Sequence, residues 1–106
     1  IREDRVDEIK DFFDEFIEYW EQMLWKKFSK TRDRQIADAL LELFRIRDNI
    51  ENFNKKALYI MIREMTGVKT LYITKVVNTI KRSYHELYPL YKQYGSIFRI
   101  PPDKLK

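Results

Sequence analysis

A chain of 106 residues is sized for one domain with a modest core. It is 44% hydrophobic and 36% charged, a balance that excludes a disordered tail. No apolar run reaches the roughly 18 residues that a membrane span needs, no signal-peptide pattern is visible, and the absence of Cys excludes disulfides and thiolate metal sites.

The missing thiols fit a reducing cytoplasm. Two glycines and three prolines leave few turns and predict an all-α bundle of four to five helices. Dense Lys, Arg, Glu and Ile with few Asn and Gln lean towards a thermophilic source. The chain begins with Ile1 rather than Met, which suggests a piece of something larger.

The net charge of +4 hides an asymmetry. Residues 1–21 carry nine acids and three bases, a net of −6, and residues 22–106 carry +10. A basic half of this kind attracts a polyanion such as nucleic acid, or an anionic membrane surface.

Residues 1–28 read as a long acidic amphipathic helix. Its stripe is Val6, Ile9, Phe13, Phe16, Ile17, Trp20, Leu24 and Phe28, in steps of three and four. The acids, from Asp4 to Glu18, come early and Lys26 and Lys27 late, which suits the helix dipole. A solvated face explains this acidic run better than a metal site, since no loop or histidine partners the carboxylates. Trp20 and Trp25 both read as core or edge-of-core residues.

"SKTRDR" breaks the pattern, with Thr31 or Asp33 as N-cap. A second helix is predicted from about Asp33 to Arg47, with Ile36, Leu40, Leu43 and Phe44 inward. After the polar connector "DNIENFN", Asn54 caps a third helix over Lys55 to Met65, whose inner face is Leu58, Met61, Ile62 and Met65.

Gly67 interrupts, and a fourth helix starts near Lys69 or Thr70. Its stripe is Ile73, Val76, Val77, Ile80, Tyr84, Leu87 and Tyr91. Pro89 inside it predicts a kink or break, and Gly95 a terminus. Tyr84, Tyr88, Tyr91 and Tyr94 form a stripe better suited to packing than to stacking on bases. Residues 95–106 read as an extended tail or linker, strand-like at Ile97, Phe98 and Ile100 and ending in a Pro-Pro exit.

The stretch that carries chemistry is "IREMTGVKTLYITKVVN", Ile62 to Asn78. A helix-turn-helix needs a turn-opening residue without a side-chain penalty, an apolar plug after it, and apolar positions that dock the second helix on the first. Gly67, Val68, Ile73, Val76 and Val77 meet these demands, with Leu58 and Ile62 before the turn.

The stretch resembles the N-terminal helix-turn-helix of the lac-repressor family, V-A-x-x-A-G-V-S-x-x-T-V-S-R-V-(V/L)-N. The shared elements are Gly67-Val68, Ile73, Thr74, Lys75 and Val76-Val77-Asn78, within a motif of 17 residues. Arg63 stands where that family has alanine, and Lys69 where it has serine. Its motif opens the chain and a hinge follows, whereas this one sits behind two further helices.

The resemblance implies a nucleic-acid-binding domain at about 55–82. It places Thr70, Leu71 and Lys75 against base edges, and Thr74 and Asn78 against phosphates. Of these, Lys75 can donate to guanine and Leu71 can touch a thymine methyl. Lys55, Lys56 and Lys69 near helix N-termini, with Lys81 and Arg82 along the fourth helix, would add phosphate contacts. Leu71 and Tyr72 can instead pack inside the bundle, under the long first helix, or stack on unpaired bases.

His85 is the sole histidine, and no catalytic carboxylate pair or phosphate loop accompanies it. No enzyme contained in the chain, no metal and no cofactor is therefore expected. The leading expectation is a duplex-DNA reader in transcription regulation or replication initiation, as a possible homodimer. A second is an accessory bundle of a plasmid or viral replication protein such as a primase, gripping a single-stranded template beside neighbouring domains. A third is a protein–protein interaction bundle using the tyrosine stripe.

Overall fold

The computed structural model describes the backbone of residues 2–105 and the side chains of residues 7–105. Among them are four α-helices and no strand: α1 (Arg2–Lys27), α2 (Thr31–Arg45), α3 (Lys55–Thr66) and α4 (Thr70–Tyr94). The all-α bundle expected from the sequence is thus the fold. Three short 3-10 turns, Arg47–Asn49, Ile97–Arg99 and Pro102–Lys104, complete it.

α2 is the hub, packing against α1, α3 and α4. Its position accounts for its wide buried arc, in which Ile36, Ala37, Ala39, Leu40, Leu41 and Leu43 are all inside. The two alanines let neighbouring helices approach closely. Phe44, expected inward, is half-buried and packs on the rim.

α1 departs from its predicted stripe at several positions. Phe12, not Phe13, is the fully buried phenylalanine, with Tyr84, Tyr88 and Tyr91 all about 5 Å from its ring. Phe13 is half-buried against Phe44, under the Arg47 guanidinium. Ile9 is exposed, and the side chains of Asp4 and Val6 lie outside the described residues.

Trp20 is buried and its indole N–H donates to the Ser83 hydroxyl at 3.1 Å. Trp25, expected at the core, is 63% exposed. Arg34 explains this. Its guanidinium donates to the Phe28 and Trp25 carbonyls left over at the end of α1 and lies 4.3 Å from the Trp25 ring. The same fork ties α2 to α1; α2 starts at Lys30, whose ammonium has no acceptor to offer as a cap, and neither Thr31 nor Asp33 serves as its N-cap.

On α3, Asn54 is the N-cap as expected, its side chain accepting from the Ala57 amide at 2.9 Å. Ile62 is fully buried, and Leu58 and Met61 pack on the core, but Met65 is exposed. α4 buries Ile73, Val76, Ile80, Leu87 and Tyr91, and Val77 and Tyr84 pack at its flank.

α4 also runs unbroken through Pro89 to Tyr94. Pro89 is exposed, so the carbonyl it leaves unpaired, that of the exposed His85, is on the wet side of the helix. Leu87 and Tyr91 anchor the helix on both sides of it. Gly95 ends α4 in the left-handed conformation at φ 82°.

The strand-like expectation for the tail gives way to two 3-10 turns folded onto the bundle. Ile97 and Ile100 are buried, and the Glu15 carboxylate of α1 accepts from the Ser96 hydroxyl and the Ile97 amide. A carboxylate on a distant helix is what bends this segment inward. No helix among the described residues is long and apolar enough to cross a membrane.

Candidate nucleic-acid interface

The corner between α3 and α4 is built by local chemistry. Gly67 sits at φ 69°, ψ 10°, in the left-handed region, and its amide donates to the Arg63 carbonyl at 2.8 Å. Glycine enters this conformation without the steric cost that other residues meet. The Thr66 hydroxyl donates back to the Ile62 carbonyl at 2.7 Å and accepts from the Val68 amide at 3.2 Å. Val68, half-buried, plugs the gap between the helices. Lys69 then enters α4 in extended backbone with no side-chain cap. The turn is three residues, Gly67 to Lys69.

Docking of Ile73, Val76 and Ile80 decides what the opposite side of α4 presents. At about 100° per residue, Leu71, Lys75, Asn78 and Arg82 fall within an arc of about 60° on that outward side. All four are exposed, Leu71 to 69%. Thr70, Thr74 and Lys81 lie beside this stripe towards α3, where Lys81 and Val77 meet Leu58 around an apolar hollow. Lys55 and Lys56 are exposed in the first turn of α3, about 18 Å along that helix from the corner.

Tyr72 differs from the rest. Its ring packs on the core, and the Arg32 guanidinium of α2 covers it at 3.6 Å. That face is already occupied by a cation, so Tyr72 is a packing residue and not an open platform. Leu71, by contrast, is not covered by α1 or any other element.

Arg63 was not among the expected site residues. It is exposed and lines, with Lys69 and Ile60, a shallow depression of ≈ 350 Å³ beside the turn. The signal was its place four residues before Gly67, on the helix face that ends at the corner. Residues 55–82 hold seven bases and one acid, a net of +6.

The acids of α1 lie elsewhere. Asp14 and Glu21 pair with Arg47 and Arg45 of the α2 end, so that region is an ion-pair surface of its own. Burial works against the charge of Arg45, but its bonds to Glu21 and Glu42 outweigh that and hold its pKa above the usual value. Among the described residues no group of three or more His, Asp or Glu could hold a metal ion.

Compared with known proteins, the chain matches no family model, no curated protein and no solved structure.

Proposed function

We propose that this chain binds nucleic acid through the α3–turn–α4 unit, with α4 lying in the major groove of duplex DNA. The observation that carries the reading is the outward stripe Leu71, Lys75, Asn78 and Arg82. It is exposed, it opens directly from a three-residue corner, and it lies within a segment of net +6. Lys75 reaches guanine O6 or N7 as a donor, Asn78 and Arg82 meet phosphates or bases further along, and Leu71 contacts a thymine methyl. Lys69, Arg63, Lys55 and Lys56 supply the sequence-independent phosphate term, which makes affinity fall steeply with salt. Regulation of transcription or initiation of replication is the setting such a reader serves, with two copies on a two-fold site as the usual arrangement.

The covered ring of Tyr72 favours the duplex over a single strand, because stacking on an unpaired base needs a free aromatic face. The test compares duplex and single-stranded oligonucleotides of the same length at two salt concentrations, for wild type and Lys75→Glu. The reading expects tighter binding to duplex and a loss of about tenfold or more in the variant. Equal, weak binding by both proteins would remove it. A preference for single strands that disappears in Tyr72→Ala would support the accessory-domain role instead.

A further inference from the structure

On the other flank of α4 from α3 lies a groove of ≈ 660 Å³ between α1, α4 and the C-terminal 3-10 turn. Its volume is in the range of sites that take a small organic molecule. Its apolar surface comes from Pro89, Leu90 and Leu105, which lie over the buried Trp20 and Leu87. Its rim is cationic, with Lys27, Arg82 and Lys104 brought together from three separate segments and His85 beside them. Glu86 is the single acid in the lining.

Among the described residues none of these three exposed cations forms an ion pair, although they come from distant parts of the chain to line one groove. The basic residues of the α2 end are instead paired with carboxylates of α1 and α2. The Tyr19 phenol, also in the lining, is pushed up from its ordinary pKa by burial and by Glu86, which keeps it a neutral donor. An anionic head group relieves the cations, and an apolar body covers the wall.

We infer that this groove is a binding site for a small amphipathic organic anion, its phosphate or carboxylate held by Lys27, Arg82 and Lys104 and its apolar body lying against Pro89, Leu90 and Leu105. The groove shares Arg82 with the proposed nucleic-acid face, so its test contains no oligonucleotide and leaves Arg82 unchanged.

Calorimetric titrations of the whole chain with octanoate, adenosine monophosphate and inorganic phosphate test it. At least one of the two amphipathic anions binds saturably, and inorganic phosphate, which has no apolar body, binds about tenfold more weakly or not at all. The tighter of the first two identifies the body as aliphatic or aromatic. The double variant Lys27→Glu/Lys104→Glu weakens that binding by about tenfold, as loss and reversal of two exposed charges would. Lys10→Glu/Lys92→Glu, with the same change in net charge but outside the lining, leaves it unchanged, and Glu86→Lys tightens it. Circular dichroism confirms that each variant is folded. Absence of saturable binding by both amphipathic anions, equal affinity for inorganic phosphate, or equal losses in the two double variants would each overturn the proposal.

Discussion

Replacing Gly67 by alanine isolates what the corner requires. A Cβ at this position would meet no atom within 4 Å, so no steric clash with a neighbouring group contributes. What remains is the backbone at φ 69°, where an L-residue costs about 1–2 kcal/mol, offset in part by the lower entropy of an unfolded chain without that glycine. The net expected loss is about 1 kcal/mol, which for a domain of this size lowers the midpoint of thermal unfolding by about 4–8 °C. Asparagine, which tolerates the left-handed region, should lose about half as much.

Gly95→Ala is the matched control. It too is left-handed, at φ 82°, and its Cβ would meet only Arg99 Nη1 at an ordinary 3.7 Å. The two alanine variants should therefore lose similar stability, measured by calorimetry or urea unfolding. Only Gly67→Ala should also weaken binding to duplex DNA, because only that corner aims α4. A loss near zero at Gly67 would mean that the corner is not left-handed. A loss above about 3 kcal/mol would mean that it is crowded, contrary to the open space around it.

Two further expectations concern stability. Asn54→Ala removes the side-chain acceptor for the Ala57 amide and should cost about 1 kcal/mol in urea unfolding, with Asn54→Asp close to neutral. Tyr91 is buried, and burial first, then Glu15, Asp11 and Glu8, push its pKa above the ordinary 10.0. The unfolded chain then loses this proton at lower pH than the folded one, so the stability that the neutral phenol supports is full below about pH 10 and falls as pH rises beyond it. Tyr91→Phe should flatten that alkaline decline while leaving neutral-pH stability little changed, as read from unfolding midpoints between pH 8 and 11; an unaltered decline would assign it elsewhere, with Tyr19 and Tyr84 shifted in the same direction.

The helices were legible because their signals are local. Apolar spacing gave α4 its core stripe almost residue for residue, Asn54 and Gly95 marked their termini, and Gly67 marked the corner. What was not legible depended on partners far away in the chain. Phe12 and Phe13 satisfy helical spacing equally well, and the tyrosines of α4 choose Phe12. Trp25 looks like core until Arg34 is seen to bind the carbonyls of its helix end. The tail pattern suits a strand, but Glu15, more than 80 residues earlier, draws it into a turn.

The candidate site divides in the same way. Lys75, Asn78 and Arg82 were legible as polar members of the site, but Leu71, large and apolar, suited the interior as well as the outward line on which it lies. Tyr72 was ambiguous because the residue covering it, Arg32, belongs to another helix. Lys55 and Lys56 were recognisable as basic, but their distance from the corner follows only from where α3 lies.

Amide chemical-shift mapping during titration with a mixed-sequence duplex at low salt tests the central claim most directly. The account predicts shifts concentrated from Lys69 to Arg82, with a weaker set in the first turn of α3 and none along the acidic face of α1. Shifts confined to the tyrosine side of α4 or to α1, or none at saturating duplex, would contradict it.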